Sequence, residues 1–178
     1  MDLIVNVEPI IAYVVRSINF SYNKGSVNYL SGEERDLTDW FILKTRSSNK
    51  AKYPLIFLEP NKIEVSKNKT YIMRDARFII CALTDEKWLR ETRFFKNYKE
   101  YLTLLANEFY KGISRSKYIS VLESSDKIIE YDYKPKYYVF DDKVPQGDVV
   151  DAIEIILDLE IETNCLIKEN LELCQVHL

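Results

Sequence analysis

The segment Asp148 to Glu162, DVVDAIEIILDLEIE, constrains the fold of this chain more than any other stretch. Ile153, Ile155, Leu157, Leu159 and Ile161 occupy every second position. Asp151, Glu154, Asp158, Glu160 and Glu162 fall mostly between them. Side chains alternate across a strand, so this spacing gives one apolar face and one acidic face. A helix would scatter the same residues around its circumference. The segment therefore predicts a long, half-buried β-strand with a negative outer face. A row of carboxylates on one sheet face repels itself and any nearby anion.

The remaining pattern places helices around such a sheet. Ile10, Ile11, Val14, Val15 and Ile18 form a helical stripe, and Pro9 suits a first turn. Residues 20–39 carry Asn23, Gly25, Ser31 and Gly32 and read as a loop with a short strand around Tyr29. WFILKTR, from Trp40 to Arg46, reads as a strand. YPLIFL, from Tyr53 to Leu58, is a short apolar run of the buried, central kind. Thr70 to Leu83 predicts another strand, bent near Arg74 and Asp75, and the polar connection between the two reads as a projecting arm.

From Trp88 to Ile113 a stripe of Phe94, Tyr98, Tyr101 or Leu102, Leu105, Phe109 and Ile113 predicts an amphipathic helix. Arg93, Lys96, Lys99, Glu100 and Lys111 are expected on its outer circumference, and Asp85 and Glu86 at its cap. Lys117–Leu122 and Ile128–Tyr133 follow as strands, Pro135 interrupts, and Tyr137–Phe140 resumes. Residues 166–178 fit helix or strand equally. The expected fold is α+β, one domain over residues 1–178, with an antiparallel-rich sheet, an N-terminal helix and one long amphipathic helix packed on it.

Composition narrows the chemistry. A chain of 178 residues with 47% hydrophobic residues can bury one sizeable core, and a net charge of −3 does not mark a nucleic-acid binder. Cys81, Cys165 and Cys174 are odd in number and irregular in spacing, so a reducing compartment is expected rather than a disulfide framework. MDLIVNVEPI has no basic stretch and meets Glu8 and Pro9 early, so no secretory leader is expected there. No apolar run approaches the roughly 18 residues of a membrane span.

Catalytic signals are sparse. His177 is the only histidine. With Cys165 and Cys174 it matches no standard zinc spacing. The four glycines build no phosphate loop. Asp75 with Glu64, or Glu130 with Asp132, are the carboxylate pairs a small metal-dependent nuclease would need. Asp158 and Glu160 could bind a hard cation, but adjacent residues of a strand point to opposite faces, which weakens the idea. Lys62, Lys67 and Lys69 lack interleaved aromatics, so they read as a solvated loop rather than a nucleic-acid patch. Tyr131, Tyr133, Tyr137 and Tyr138 suit either sheet packing or a contact surface, including a peptide-binding module that takes a partner at a sheet edge.

Four stretches taken in order carry a resemblance. They are KAKYPLIFLEP at Lys50–Pro60, RFIICALTD at Arg77–Asp85, the helix ending LTLLANEFYKGI, and the last strand DAIEIILDLEIE. With the N-terminal apolar helix they run helix, "YP" strand, hairpin, strand, helix, final strand. Over residues 3–163 the chain resembles the tail-terminator or tail-completion family of the bacteriophage head–tail junction, leaving 164–178 as a tail. Ser21–Asp39 and Ser114–Val144 are additions to a minimal member.

The resemblance implies a non-enzymatic virion protein without a cofactor, made in the host cytoplasm. It implies a homo-oligomeric ring, commonly a hexamer, that ends the tail tube or joins tail to head. Its partners would be further copies and other neck, tail-tube or portal proteins, with no membrane. DNA would pass through without specific binding. On that expectation Asp151, Glu154, Asp158, Glu160 and Glu162 face the channel and repel DNA phosphates. Lys62, Glu64, Lys67 and Lys69 would belong to an inter-subunit arm.

Overall fold

The alternating segment does form a strand, and it is an inner strand of the sheet. A computed structural model describes residues 6–18, 27–43, 52–65, 70–122, 130–137 and 149–162. In chain order the elements are α1 (Glu8–Ser17), β1 (Asn28–Ser31), α2 (Glu34–Leu43), β2 (Leu55–Glu59), β3 (Ile63–Val65), β4 (Tyr71–Leu83), α3 (Arg90–Arg93), a π-helical stretch (Phe94–Leu102), α4 (Thr103–Ser114), β5 (Ile119–Val121), β6 (Glu130–Tyr137) and β7 (Val150–Ile161). The fold is α+β, and the sheet is antiparallel except where β1 lies parallel to β2.

β4 and β7 pair along nearly their whole length, from Tyr71↔Ile161 to Leu83↔Val150. The outer edge of β4 is shared by β3, opposite residues 71–73, and β2, opposite residues 77–81. The outer edge of β7 is shared by β5 near Ile161 and by β6 from Val150 to Ile156. Among the described residues, β1 and the β5–β6 side are therefore the two margins of the sheet.

One face carries the larger core. Ile153, Ile155, Leu157, Leu159 and Ile161 of β7 join Ala76, Phe78 and Ile80 of β4 beneath α1 and α4. Each such side chain contributes about 1.5–3 kcal/mol on full burial. Phe78 and Phe109 meet with ring centroids 4.9 Å apart. Gly112 lets α1 approach α4 closely, since a Cβ there would lie 3.0 Å from Val14 Cγ1. A smaller core on the opposite face joins Leu37 and Phe41 of α2 to Leu55, Phe57, Ile79, Cys81, Val150 and Ala152.

Residues 40–43 are helix rather than the expected strand. α2 begins upstream, where the Glu33 N–H donates to Asp36 Oδ2 at 2.7 Å, half of a capping box. Gly32 makes room for this, because a Cβ there would lie 2.3 Å from the same oxygen. Leu37 and Phe41 then fall four apart on one buried face. A strand reading of WFIL sees only its β-prone residues and misses the cap that precedes them.

The long helix starts at Arg90 and ends at Ser114, close to expectation, with α3, the π-helical stretch and α4 forming one continuous rod. Asp85 and Glu86 do not cap it. Asp85 instead closes a turn, accepting the Lys87 N–H on its side chain at 2.9 Å and the Trp88 N–H on its carbonyl at 3.0 Å. The π-helical bonding pattern, i to i+5, shifts the phase of the side chains around the rod. Tyr98, Leu102, Leu105, Phe109 and Ile113 of the expected stripe are buried, but Phe94 is 51% exposed. Pro135 does not end β6, which absorbs it in a register shift between Lys134 and Tyr137. No helix among the described residues is long and apolar enough to cross a membrane.

Because Leu37 is the fully buried anchor of α2, Leu37→Ala should destabilise the fold by about 2–5 kcal/mol in denaturant titrations. Asp39→Ala, on the exposed side of the same helix, should stay within about 0.5 kcal/mol of the parent.

Candidate functional site

The sheet face opposite the larger core is covered by α2 at one end and carries charged side chains over the rest. Register decides which residues share it. Glu59 pairs with Arg77, Ile79 with Glu154, and Ile72 with both Glu64 and Glu160. Asp132 sits opposite Glu154 on β6, and Ser120 opposite Glu160 on β5.

Four of the five expected acidic residues lie on or beside this face, and one does not. Asp151 is completely buried on the helix side. Its odd number puts it in phase with Ile153 and Ile155, so the alternation itself places it inside. There Asp151 Oδ1 lies 3.2 Å from Arg93 Nε, and Asp151 Oδ2 accepts from Asn97 Nδ2 at 2.7 Å. Asn97 Nδ2 also donates to the Leu83 carbonyl, and Arg93 Nη2 to the Trp88 carbonyl. Arg93, expected on the outer circumference, thus points inward and supplies the counter-charge. Burial pushes the nearby Tyr98 phenol well above its usual range, and the Asp151 carboxylate adds to this.

The remaining carboxylates form two ion-pair networks. In the first, Arg77 bridges Glu59 Oε2 at 2.6 Å and Glu154 Oε2 at 3.2 Å. Lys134 Nζ continues it, 3.8 Å from Glu154 Oε2 and 2.8 Å from Asp132 Oδ2. In the second, Arg74 Nη1 donates to Asp158 Oδ2 at 2.6 Å, with Arg74 Nε 3.9 Å from Glu64 Oε2. Asp158 Oδ1 also accepts the Asp75 N–H at 2.8 Å. Asp75 has φ +48°, at the register shift between Met73 and Ala76, so Asp158 pins the bulge of β4 from across the strand pair. Half-exposed pairs of this kind add little to stability; their effect is to cancel charge.

The expected self-repelling row is therefore mostly neutralised. Of the five carboxylates, only Glu160 and Glu162 carry no ion pair among the described residues. The arm residues divide similarly. Glu64 belongs to β3, hydrogen-bonded to β4, and Lys62 Nζ lies 3.6 Å from it. Lys67 and Lys69 lie outside the described residues, as do Cys165, Cys174 and His177. Asp75 and Glu64, the first proposed carboxylate pair, both gather around Arg74 rather than around an open coordination site. Among the described residues no three His, Cys, Asp or Glu side chains converge to hold a metal ion. Burial pushes the Cys81 thiol up, which keeps it in the unreactive thiol form.

A second surface lies beside β6. Tyr133 packs edge-on against Tyr98 at 5.1 Å and against Tyr131 at 6.1 Å. Phe94 and Phe95, 5.8 Å apart, lie one helical turn before Tyr98 on the π-helical stretch. The grouping of Tyr131 and Tyr133 was legible in the sequence, where it suited sheet packing and a contact surface equally. Phe94 and Phe95 were not, since regular helical spacing assigns Phe94 to the core.

Removing one partner of the buried pair leaves an uncompensated charge. Asp151→Ala should therefore cost about 3–5 kcal/mol by denaturant unfolding. The surface network titrates oppositely at its two ends. The hydrogen bond from Lys134 holds the Asp132 carboxyl below its ordinary 3.8, so its contribution is present above that value and is lost as pH falls through the lower folded value. The hydrogen bond to Asp132 holds Lys134 above its ordinary 10.5, so that contribution is lost only as pH rises through the higher folded value. Carbon-detected NMR should find Asp132 titrating below 3.8, and Lys134→Met should move it back up.

The chain matches no protein-family model, and no curated protein is significantly similar to it.

Proposed function

We propose that the chain is a structural subunit of the neck of a tailed bacteriophage. In this reading it forms one copy of a homo-oligomeric ring at the head–tail junction, which terminates the tail tube or joins tail to head. The observation that carries the reading is the order in which the elements build the sheet. An N-terminal helix is followed by the "YP" strand β2, the β3–β4 hairpin, the long helix, and a final strand that returns to lie against β4. This is the succession of the family the sequence resembles.

The placement of the additional segments supports the same reading. β1 and the start of α2 fall within Ser21–Asp39, while β5 and β6 fall within Ser114–Val144. β1, β5 and β6 occupy margins of the sheet around an inner β2–β4–β7 assembly, and α2 covers one of its faces. Material added at the margins changes how copies meet their neighbours without disturbing the inner strands. The role needs surfaces for further copies and for tail-tube or portal proteins, and it requires no cofactor.

Channel-facing charge, if the open sheet face lines the ring, rests on Glu160 and Glu162, because Glu154 and Asp158 are already paired with cations. Unpaired carboxylates there would keep DNA phosphates from adhering as the genome passes.

Immunogold labelling of particles from the source culture, with an antibody against this chain, should place gold at the head–tail junction. Particles without label there would overturn the reading. Glu160→Lys with Glu162→Lys should slow DNA release from assembled particles, whereas an unchanged release rate would remove the channel role and leave the neck assignment standing.

A further inference from the structure

We propose that the aromatic surface formed by the π-helical stretch and β6 docks a second copy of this chain, on the acidic corner where β1 turns into α2. The inference rests on the ring reading above and adds which two surfaces meet. Phe94, Phe95 and Tyr131 are each more than half exposed, and Tyr133 is 43% exposed. Large apolar side chains gathered in this way mark interaction sites. Aromatic residues are also the ones that anchor interface centres.

The surface is rigidly held from beneath. Tyr133 packs on Tyr98, and the same helical turns are tied to β7 by Arg93 and Asn97 on the buried Asp151. An anchor already fixed in place loses little conformational freedom on docking. Two lysines stand at its rim. Lys96 Nζ stands 4.7 Å from the Trp88 ring, and Lys99 Nζ stands 5.3 Å from the Phe95 ring. Arg90 adds a third exposed cation, but Asp85, Glu86, Glu91 and Glu100 are exposed as well, so the cationic element is the Lys96–Lys99 pair itself.

The opposite margin has the opposite sign. β1 leads through Gly32 into Glu33, Glu34, Asp36 and Asp39, all exposed, against the single cation Arg35. β1 and β6 lie on opposite sides of one sheet, so these two surfaces cannot meet within one molecule. Between molecules they meet head to tail. A contact of that type, repeated, closes into a ring when its rotation permits. The Lys96–Lys99 pair on one surface and the exposed Glu33–Glu34 pair on the other are what identify the occupant as a second copy. Pro135 and the register shift in β6 interrupt its ladder edge, so the contact is made by side chains rather than by adding a strand.

Sedimentation velocity and native mass spectrometry of the full chain, over a concentration series, test this directly. The parent chain should self-associate. Phe94→Ser with Tyr131→Ser should weaken association by about tenfold or more, with an unchanged melting temperature because both side chains are exposed. Lys96→Glu with Lys99→Glu should also weaken it, and adding Glu33→Lys with Glu34→Lys should restore it. A parent that stays monomeric throughout, association indifferent to the Phe94/Tyr131 change, or charge reversal without restoration would each overturn the proposal. Indifference together with a gold-labelled neck would remove this contact and keep the ring; particles with no label would remove the ring itself.

Discussion

Everything else in this molecule is arranged around the antiparallel pairing of β4 with β7. Both strands are long, and both bury one face under the helices. A one-residue slip between them would turn Ile153, Ile155, Leu157, Leu159 and Ile161 to the open face and bring Glu154 and Asp158 into the core. The penalty for that slip fixes the register. The bulge at Arg74–Asp75 then lets β4 bend, and Asp158 stabilises the bend by accepting both the Arg74 guanidinium and the Asp75 N–H. A single carboxylate thus ties the irregular point of one strand to the regular course of its partner.

In sequence β3 reads as part of a projecting arm, whereas β4 and β7 were legible because strand patterning is a local property. So were α1 and the buried portion of α4, whose stripes need only a few turns of chain. α2 was not, because a cap formed by Gly32, Glu33 and Asp36 outweighs the β propensity of the residues after it. The failure at Phe94 has a different cause. A nine-residue π-helical stretch breaks the period on which the stripe was counted, and no residue type announces it. The same shift accompanies the inward turn of Arg93 to meet Asp151, so one departure from regular geometry underlies both a buried ion pair and an exposed aromatic surface.

Charge was the least legible feature. The carboxylates of β7 look like an unopposed row because their partners are far away in sequence, with Arg74 and Arg77 some eighty residues upstream. Antiparallel pairing brings them together, and a half-buried sheet face favours such neutralisation. Asp151 shows the complementary error. Its position in the alternation already placed it with the isoleucines, yet its charge suggested the surface. Strand phase prevails over residue type when a counter-charge is available inside, and Arg93 provides one.

Among the described residues the sheet ends at β1 on one side and at β5 and β6 on the other, and strand edges invite uncontrolled pairing. The β6 margin counters this with Pro135 and a register shift, which spoil the continuous ladder that a foreign strand would need. What remains available there is side-chain surface. At the other margin β1 is only four residues long and gives way at once to the acidic start of α2. Among the described residues neither margin offers a long uninterrupted ladder, and on the proposed docking specificity passes to aromatic shape and charge. On that docking, two Lys96–Lys99 pairs or two acidic α2 corners would repel each other, whereas unlike surfaces would attract. That asymmetry disfavours a closed pair built from identical surfaces. It favours a directional contact, which is the type a ring requires.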